Sequence, residues 1–161
     1  QVRTYVLVLN PDIKKWQFSA YPPALNMLWW SANFTKGILC MWIGISAINL
    51  ALAVMLGAFG AHGLKKIASP EQLAWWQTAT DYFFYHALGL LALAIISKII
   101  PQLPIKASFG LIQMGILFFC GSLYVMALGL PRILGAITPI GGALMILGWL
   151  ILAWNAFKFA K

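Results

Sequence analysis

The sequence predicts an all-α membrane protein, a four-transmembrane-helix bundle preceded by an irregular N-terminal arm. Three observations lead there. Of 161 residues, 62 % are hydrophobic and 9 % charged, whereas a soluble domain carries about a quarter of its residues as charges. Four long apolar stretches fill the chain between Gly37 and Phe157. The first, Gly37 to Ala61, has no ionisable side chain except the Cys40 thiol, and at about 1.5 Å rise per residue it crosses a hydrocarbon core roughly 30 Å thick. Unpaired amides are costly in lipid, so each stretch is expected to be helical. Residues 37–161 are then one transmembrane domain with spans at about 37–61, 75–98, 107–129 and 138–159, and residues 1–36 form the arm.

The arm is polar and aromatic, with Asn10-Pro11-Asp12, Lys14-Lys15 and Tyr21-Pro22-Pro23. Asn-Pro and Pro-Pro favour turns or extended chain, and Trp16, Phe18, Tyr21, Trp29 and Trp30 suit a membrane interface better than open water. It reads either as an interfacial arm that lies on the bilayer or grips a partner, or as an atypical extension ahead of Met41. It lacks the short apolar core and small-residue cleavage site of a secretory signal.

Span 1 carries a small-residue seam, Asn49, Ala53, Gly57 and Ala61, with Gly60 and Gly63 adjoining, which permits close helix approach. His62-Gly63 followed by Lys65-Lys66 reads as its C-terminal stop. Ser69-Pro70-Glu71-Gln72 reads as the next helix start, with Ser69 as N-cap and Gln72 in the capping-box position. A helix from Pro70 to Ser97 would measure roughly 42 Å, longer than the hydrocarbon core, placing Trp75, Trp76, Gln77 and Asp81 in the headgroup zone. Span 3 holds Gly110, Gly115, Gly121, Ser122 and Gln113, and closes at Gly129-Leu130-Pro131. In span 4, Thr138-Pro139 fits an N-cap and first turn, with Gly141-Gly142 next, so residues 130–137 are expected as a bent interfacial segment rather than part of one kinked helix.

The net charge is +8, but the basic residues are scattered between spans, with no soluble basic face to meet nucleic acid. They serve orientation instead. One side collects Arg3, Lys14, Lys15, Lys36, Lys98, Lys106, Lys158 and Lys161, the other Lys65, Lys66 and Arg132, eight against three. Omitting the three in the arm leaves five against three, so both termini are expected in the cytoplasm. Cys40 and Cys120 both fall within spans and read as packed thiols rather than a disulfide or metal framework.

Few residues could carry chemistry. His62 ends span 1, while Asp81, Tyr82 and His86 follow on the second helix, with Tyr82 and His86 on one face. Ionisable groups within a membrane are functional candidates, and these four form the candidate polar cluster, expected near the interface on the non-cytoplasmic side. Structural polar contacts, a proton or ion relay, and haem or metal ligation are the competing roles. Two histidines are too few for a structural zinc, and a bis-histidine haem needs imidazoles that face each other. Asn49, Gln113 and Asn155 read as hydrogen-bond links between helices, and Asn49, Ala53, Gly57, Gly60, Gly121, Gly141 and Gly142 as packing positions. There is no recognisable catalytic residue, metal site or phosphate loop, so an enzyme is not expected and no cofactor is predicted, haem being the one alternative.

Leu56-Gly57-Ala58-Phe59-Gly60-Ala61-His62-Gly63, Trp76-Gln77-Thr78 with Tyr82 and His86, Gly121-Ser122-Leu123-Tyr124 and Thr138-Pro139-Ile140-Gly141-Gly142 together resemble the uncharacterised small inner-membrane family that includes bacterial YgdD and mitochondrial transmembrane relatives in animals. The resemblance covers about Met41 to Lys161 and implies four spans in a bacterial inner membrane or, alternatively, the mitochondrial inner membrane. It brings no assigned activity and no catalytic residue. Members of that family begin near the position of Met41, so residues 1–40 lie outside it. The function expected is a non-enzymatic bundle in the lipid bilayer that forms a homo-oligomer or joins a larger membrane complex; a small transporter, channel or proton-conducting element, and a haem- or quinone-associated redox accessory, are the alternatives.

Overall fold

A computed structural model describes the backbone of residues 5–10, 15–20 and 23–160 and the side chains of residues 40–160. The chain divides into two units, Gln1–Ile38 and Leu39–Lys161. The first departs from the irregular arm expected of it. Tyr5–Asn10 (β1) and Lys15–Ala20 (β2) pair antiparallel, from Tyr5 opposite Ala20 to Asn10 opposite Lys15. The physical reason is legible in retrospect: Lys15-Trp16-Gln17-Phe18-Ser19-Ala20 alternates polar and apolar residues with the period of a strand, and Tyr5 to Leu9 is rich in β-formers. The first helix, α1, runs Pro23–His62, so it begins ahead of the expected boundary at residue 37, with proline in its first turn where a missing N–H costs nothing. The Asn10-Pro11-Asp12 turn and the Tyr21-Pro22 step lie outside the described residues.

The second unit is an all-α bundle of four membrane-type helices. The apolar segments are Cys40–Lys66, Pro70–Ile99, Lys106–Ala127 and Arg132–Phe159. The end of α1 tightens into a 3₁₀ turn at Leu64–Lys66. Gly63 stands there for space: a Cβ would lie 2.9 Å from the Phe59 ring and 3.2 Å from its carbonyl oxygen. The second helix, α2 (Pro70–Ile99), opens with the full capping box: Ser69 Oγ accepts from the Gln72 amide at 3.2 Å, and Gln72 Oε1 accepts from the Ser69 amide at 2.8 Å.

The third helix, α3 (Lys106–Ala127), is the most buried of the four and packs on both α2 and its successor. Its last turn closes in a Schellman motif. The Leu130 amide reaches Val125 O at 3.1 Å, the Gly129 amide reaches Met126 O at 3.0 Å, and Gly129 takes φ +92°, a conformation that favours glycine. Pro131 follows, a 3₁₀ segment covers Arg132–Ala136, and α4 runs Thr138–Phe159. The bent segment before α4 is therefore present, but Thr138 is not its N-cap. Thr138 already lies inside the helix, and its hydroxyl lies 2.6 Å from Ser122 Oγ on α3.

Glycines set the closest approaches. Between α3 and α4, a Cβ on Gly141 would overlap the Phe119 backbone, 2.8 Å from its Cα; one on Gly115 would lie 2.9 Å from Gly141 O; and one on Gly148 would lie 2.7 Å from Ile112 Cγ1 and 3.1 Å from Ser108 O. Between α1 and α2, Gly60 leaves room for the Trp76 indole, which would stand 2.5 Å from a Cβ, while Gly57 faces Thr80 and Ala53 is buried. The seam thus turns through Gly60 rather than Ala61, which is exposed. Gly121, expected to pack, has open space where a side chain would begin, and Gly142 makes only ordinary contact with the Phe119 ring at 3.7 Å. Gly115 and Gly148 were not among the expected packing positions, although Gly141 and Gly148 are seven apart and share a helical face.

Candidate functional site

Inside the bundle, polar side chains link helices. Asn49 Nδ2 on α1 donates to Gln113 Oε1 on α3 at 2.7 Å and to Ile45 O at 3.0 Å; Gln113 Nε2 returns a longer bond to Asn49 Oδ1 at 3.4 Å. A second set crosses three helices. Tyr124 Oη on α3 donates to Thr80 Oγ1 on α2 at 3.1 Å, Thr80 Oγ1 donates to Trp76 O at 2.9 Å, and Trp76 Nε1 donates to Leu56 O on α1 at 2.9 Å. The Trp76 and Tyr124 rings meet edge to face at 4.5 Å. Asn155 Nδ2 on α4 donates to Pro104 O at 2.8 Å ahead of α3. In lipid such bonds replace water that is not there, which makes them the specific part of helix association. Among the described residues, Trp42 Nε1 and Ser108 Oγ are buried without a partner.

The expected cluster of His62, Asp81, Tyr82 and His86 does not form one site. His62 is exposed at the end of α1. Asp81 accepts from Gln77 Nε2, one turn back on its own helix, at 2.8 Å. Tyr82 and His86 do meet, their rings stacked at 5.9 Å with 11° between planes. His86 lies near the middle of α2 rather than at an end: it follows the first residue of α2 by sixteen positions and precedes the last by thirteen. Its aromatic neighbour on α4, Trp149 at 6.3 Å, stands halfway along that helix. About 24 Å of helix therefore separates His86 from the start of α2 beside His62, so the two imidazoles cannot grip one haem. Composition placed the histidines in adjacent loops and spans; the length of α2 separates them.

At the His62 end, Arg132 Nη2 bonds Glu71 Oε2 at 2.7 Å with the guanidinium carbon 5.6 Å from the Trp75 ring centre. An open cleft of about 420 Å³ lies between the end of α1 and the start of α2, lined by Gly60, Ala61, Lys65, Leu73, Trp76 and Gln77 among others. Of the two thiols, Cys120 is buried as expected, whereas Cys40 is exposed rather than packed. No three His, Cys, Asp or Glu side chains come together for a metal among the described residues.

The arrangement links helices through polar side chains and leaves one imidazole near mid-helix, and the comparisons with known proteins give the chain's family. A family model described as a protein of unknown function (DUF423) matches residues 56–142, an interval containing all four motifs from Leu56-Gly57 to Gly141-Gly142. The chain is 49 % identical over 118 residues to a UPF0382 membrane protein of Staphylococcus saprophyticus, covering 73 % of this chain and 98 % of the relative. It is 46 % identical over 120 residues to one from Staphylococcus aureus and 41 % identical over 120 residues to UPF0382 membrane protein YwdK of Bacillus subtilis, each covering 74 % of this chain and 98 % of the relative. No solved structure matches the chain. The chain belongs to the DUF423 family of UPF0382 membrane proteins, a family of unknown function.

Proposed function

We propose that the protein is a non-enzymatic bundle of the bacterial inner membrane, with both termini cytoplasmic, that assembles with itself or with a larger membrane complex; the same proposal groups it with YgdD and the mitochondrial relatives. The observation that carries it is the division of labour among side chains. Asn49, Gln113, Trp76, Thr80, Tyr124, Ser122, Thr138 and Asn155 spend their polar groups joining helices. Meanwhile α4 presents Ile140, Ile146, Leu147, Leu150, Trp154 and Phe157 outward, all well exposed. Polar groups engaged in joining helices are not available to line a path across the membrane.

Native mass spectrometry of the full chain extracted in mild detergent tests the assembly. A stable homo-oligomer or a co-purifying complex supports the proposal, and a monomer under conditions that preserve known membrane oligomers removes it. Orientation follows from thiol-accessibility labelling of single cysteines placed at Lys66 and Lys158 in intact cells: Lys66→Cys is expected to react with an impermeant reagent, and Lys158→Cys only after the membrane is opened.

A further inference from the structure

The mid-span imidazole has one ring nitrogen engaged and the other without a partner among the described residues. His86 Nδ1 lies 2.8 Å from the Tyr82 carbonyl oxygen. A carbonyl oxygen only accepts, so Nδ1 carries the proton, and in the neutral imidazole Nε2 is then the nitrogen left to accept. Among the described residues, Nε2 has no hydrogen-bond partner, although the side chain is half-buried at the middle of the bundle. Hydrocarbon at that depth offers no donor, and an unpaired acceptor there is costly. The surroundings are flat and aromatic: Tyr82 stacks on the imidazole, Phe119 lies 4.8 Å from Tyr82, and Trp149 of α4 lies 6.3 Å from His86. Gly89, one turn beyond His86, holds Trp149 close, since a Cβ there would lie 2.7 Å from its ring. Tyr82 and Trp149 are both open to the bilayer, 43 % and 37 % exposed.

We propose that the surface formed by Tyr82, His86 and Trp149 is a binding site for a lipid-soluble hydroquinone, whose phenolic hydroxyl donates to His86 Nε2 while its ring lies against Tyr82 and Trp149. Three requirements select that class. The ligand must dissolve in the hydrocarbon core, present a planar ring to a planar aromatic wall, and carry a hydroxyl donor. The oxidised quinone meets the first two and fails the third, so the site favours the reduced form. Binding involves no electron transfer and does not depend on the oligomeric state, so a monomeric protein that binds hydroquinone would overturn the assembly proposal and leave this one standing.

The test compares three ligands of nearly one shape on the full chain in mild detergent under anaerobic conditions: tetramethylhydroquinone, its quinone and its dimethyl ether. The hydroquinone is expected to bind about tenfold more tightly than either of the others, the worth of one hydrogen bond in a low-dielectric site. His86→Leu is expected to abolish that preference while keeping the weak affinity of all three. In the wild-type protein, the hydroquinone should also move the ¹⁵N resonance of His86 Nε2, a readout that survives if His86→Leu does not fold. Equal binding of the three, no binding of any, a preference that persists in His86→Leu, or an unmoved Nε2 resonance would each overturn the proposal.

Discussion

Replacing Gly141 by alanine should destabilise the bundle, and replacing Gly121 by alanine should stabilise it, although both glycines lie in helix interiors and both were candidates for packing on sequence. The difference is what each new methyl would meet. At Gly141 it meets the Phe119 backbone, with Cα 2.8 Å away, and backbone cannot rotate aside. Relief to ordinary contact requires α3 and α4 to part by more than about 0.6 Å, because the Phe119 amide nitrogen stands nearer still than its Cα, and such a gap forfeits at least about a quarter of each van der Waals contact it opens. Ile112 and Met145, at 0 % and 3 % exposure, sit in the same seam. With about 40–60 atom contacts per buried side chain at about 0.1–0.2 kcal/mol each, the loss from these two is about 3 kcal/mol. Alanine returns about 1 kcal/mol of helix propensity, leaving a net cost of about 2 kcal/mol, within the usual range for overpacking. At Gly121 nothing lies within 4 Å, so only the propensity gain of about 0.5–1 kcal/mol remains. Reversible unfolding of both variants in detergent micelles measures the two free energies. The packing argument fails if Gly141→Ala is as stable as the parent, or if the two variants shift in the same direction.

The Asn49–Gln113 pair should behave as a coupled unit. Asn49→Leu and Gln113→Leu each strand an amide in the bundle interior and should cost about 1–3 kcal/mol, whereas the double variant should cost less than the two together by about 0.6–1.7 kcal/mol, the coupling usual for a bond between membrane helices. A double-mutant cycle on unfolding free energy gives the coupling directly, and simple additivity would contradict the bonded geometry. Glu71→Gln should change stability by no more than about 0.5 kcal/mol, because the Arg132–Glu71 pair is largely open to water, with side chains 76 % and 54 % exposed. The same unfolding assay checks it, and a loss above about 1 kcal/mol would mean that Arg132 holds the 3₁₀ segment before α4 through that carboxylate.

Features governed by a few adjacent residues were readable in the chain. The Ser69–Gln72 capping box, the stop at Gly129-Pro131 and the short 3₁₀ segment ahead of α4 each depend on backbone groups within one turn of the residues that serve them. The hairpin at β1 and β2 was equally local in its alternation, but Pro, Asn and Lys nearby outweighed that pattern. Partner choice was harder. Asn49, Gln113 and Asn155 were recognisable as links because an amide in lipid needs a partner, yet that Gln113 answers Asn49 and a backbone carbonyl answers Asn155 depends on how the helices rotate about their axes. The same rotation gives Gly115 and Gly148 a backbone to meet and leaves Gly121 beside open space.

Environment, helix count and the capped start of α2 were determined by the sequence alone, because transfer into lipid sums over consecutive residues and capping acts within a turn. Tertiary structure decided which small residues are indispensable and where the candidate chemistry sits. Both depend on distances between helices far apart in the chain. Tyr82 and His86 share a face in any helix, but only the tertiary structure brings Trp149 of α4 to within 6.3 Å of the imidazole. His62 is thereby set apart from Tyr82 and His86, with which the sequence alone groups it, because the length of α2 carries His86 to the middle of that helix.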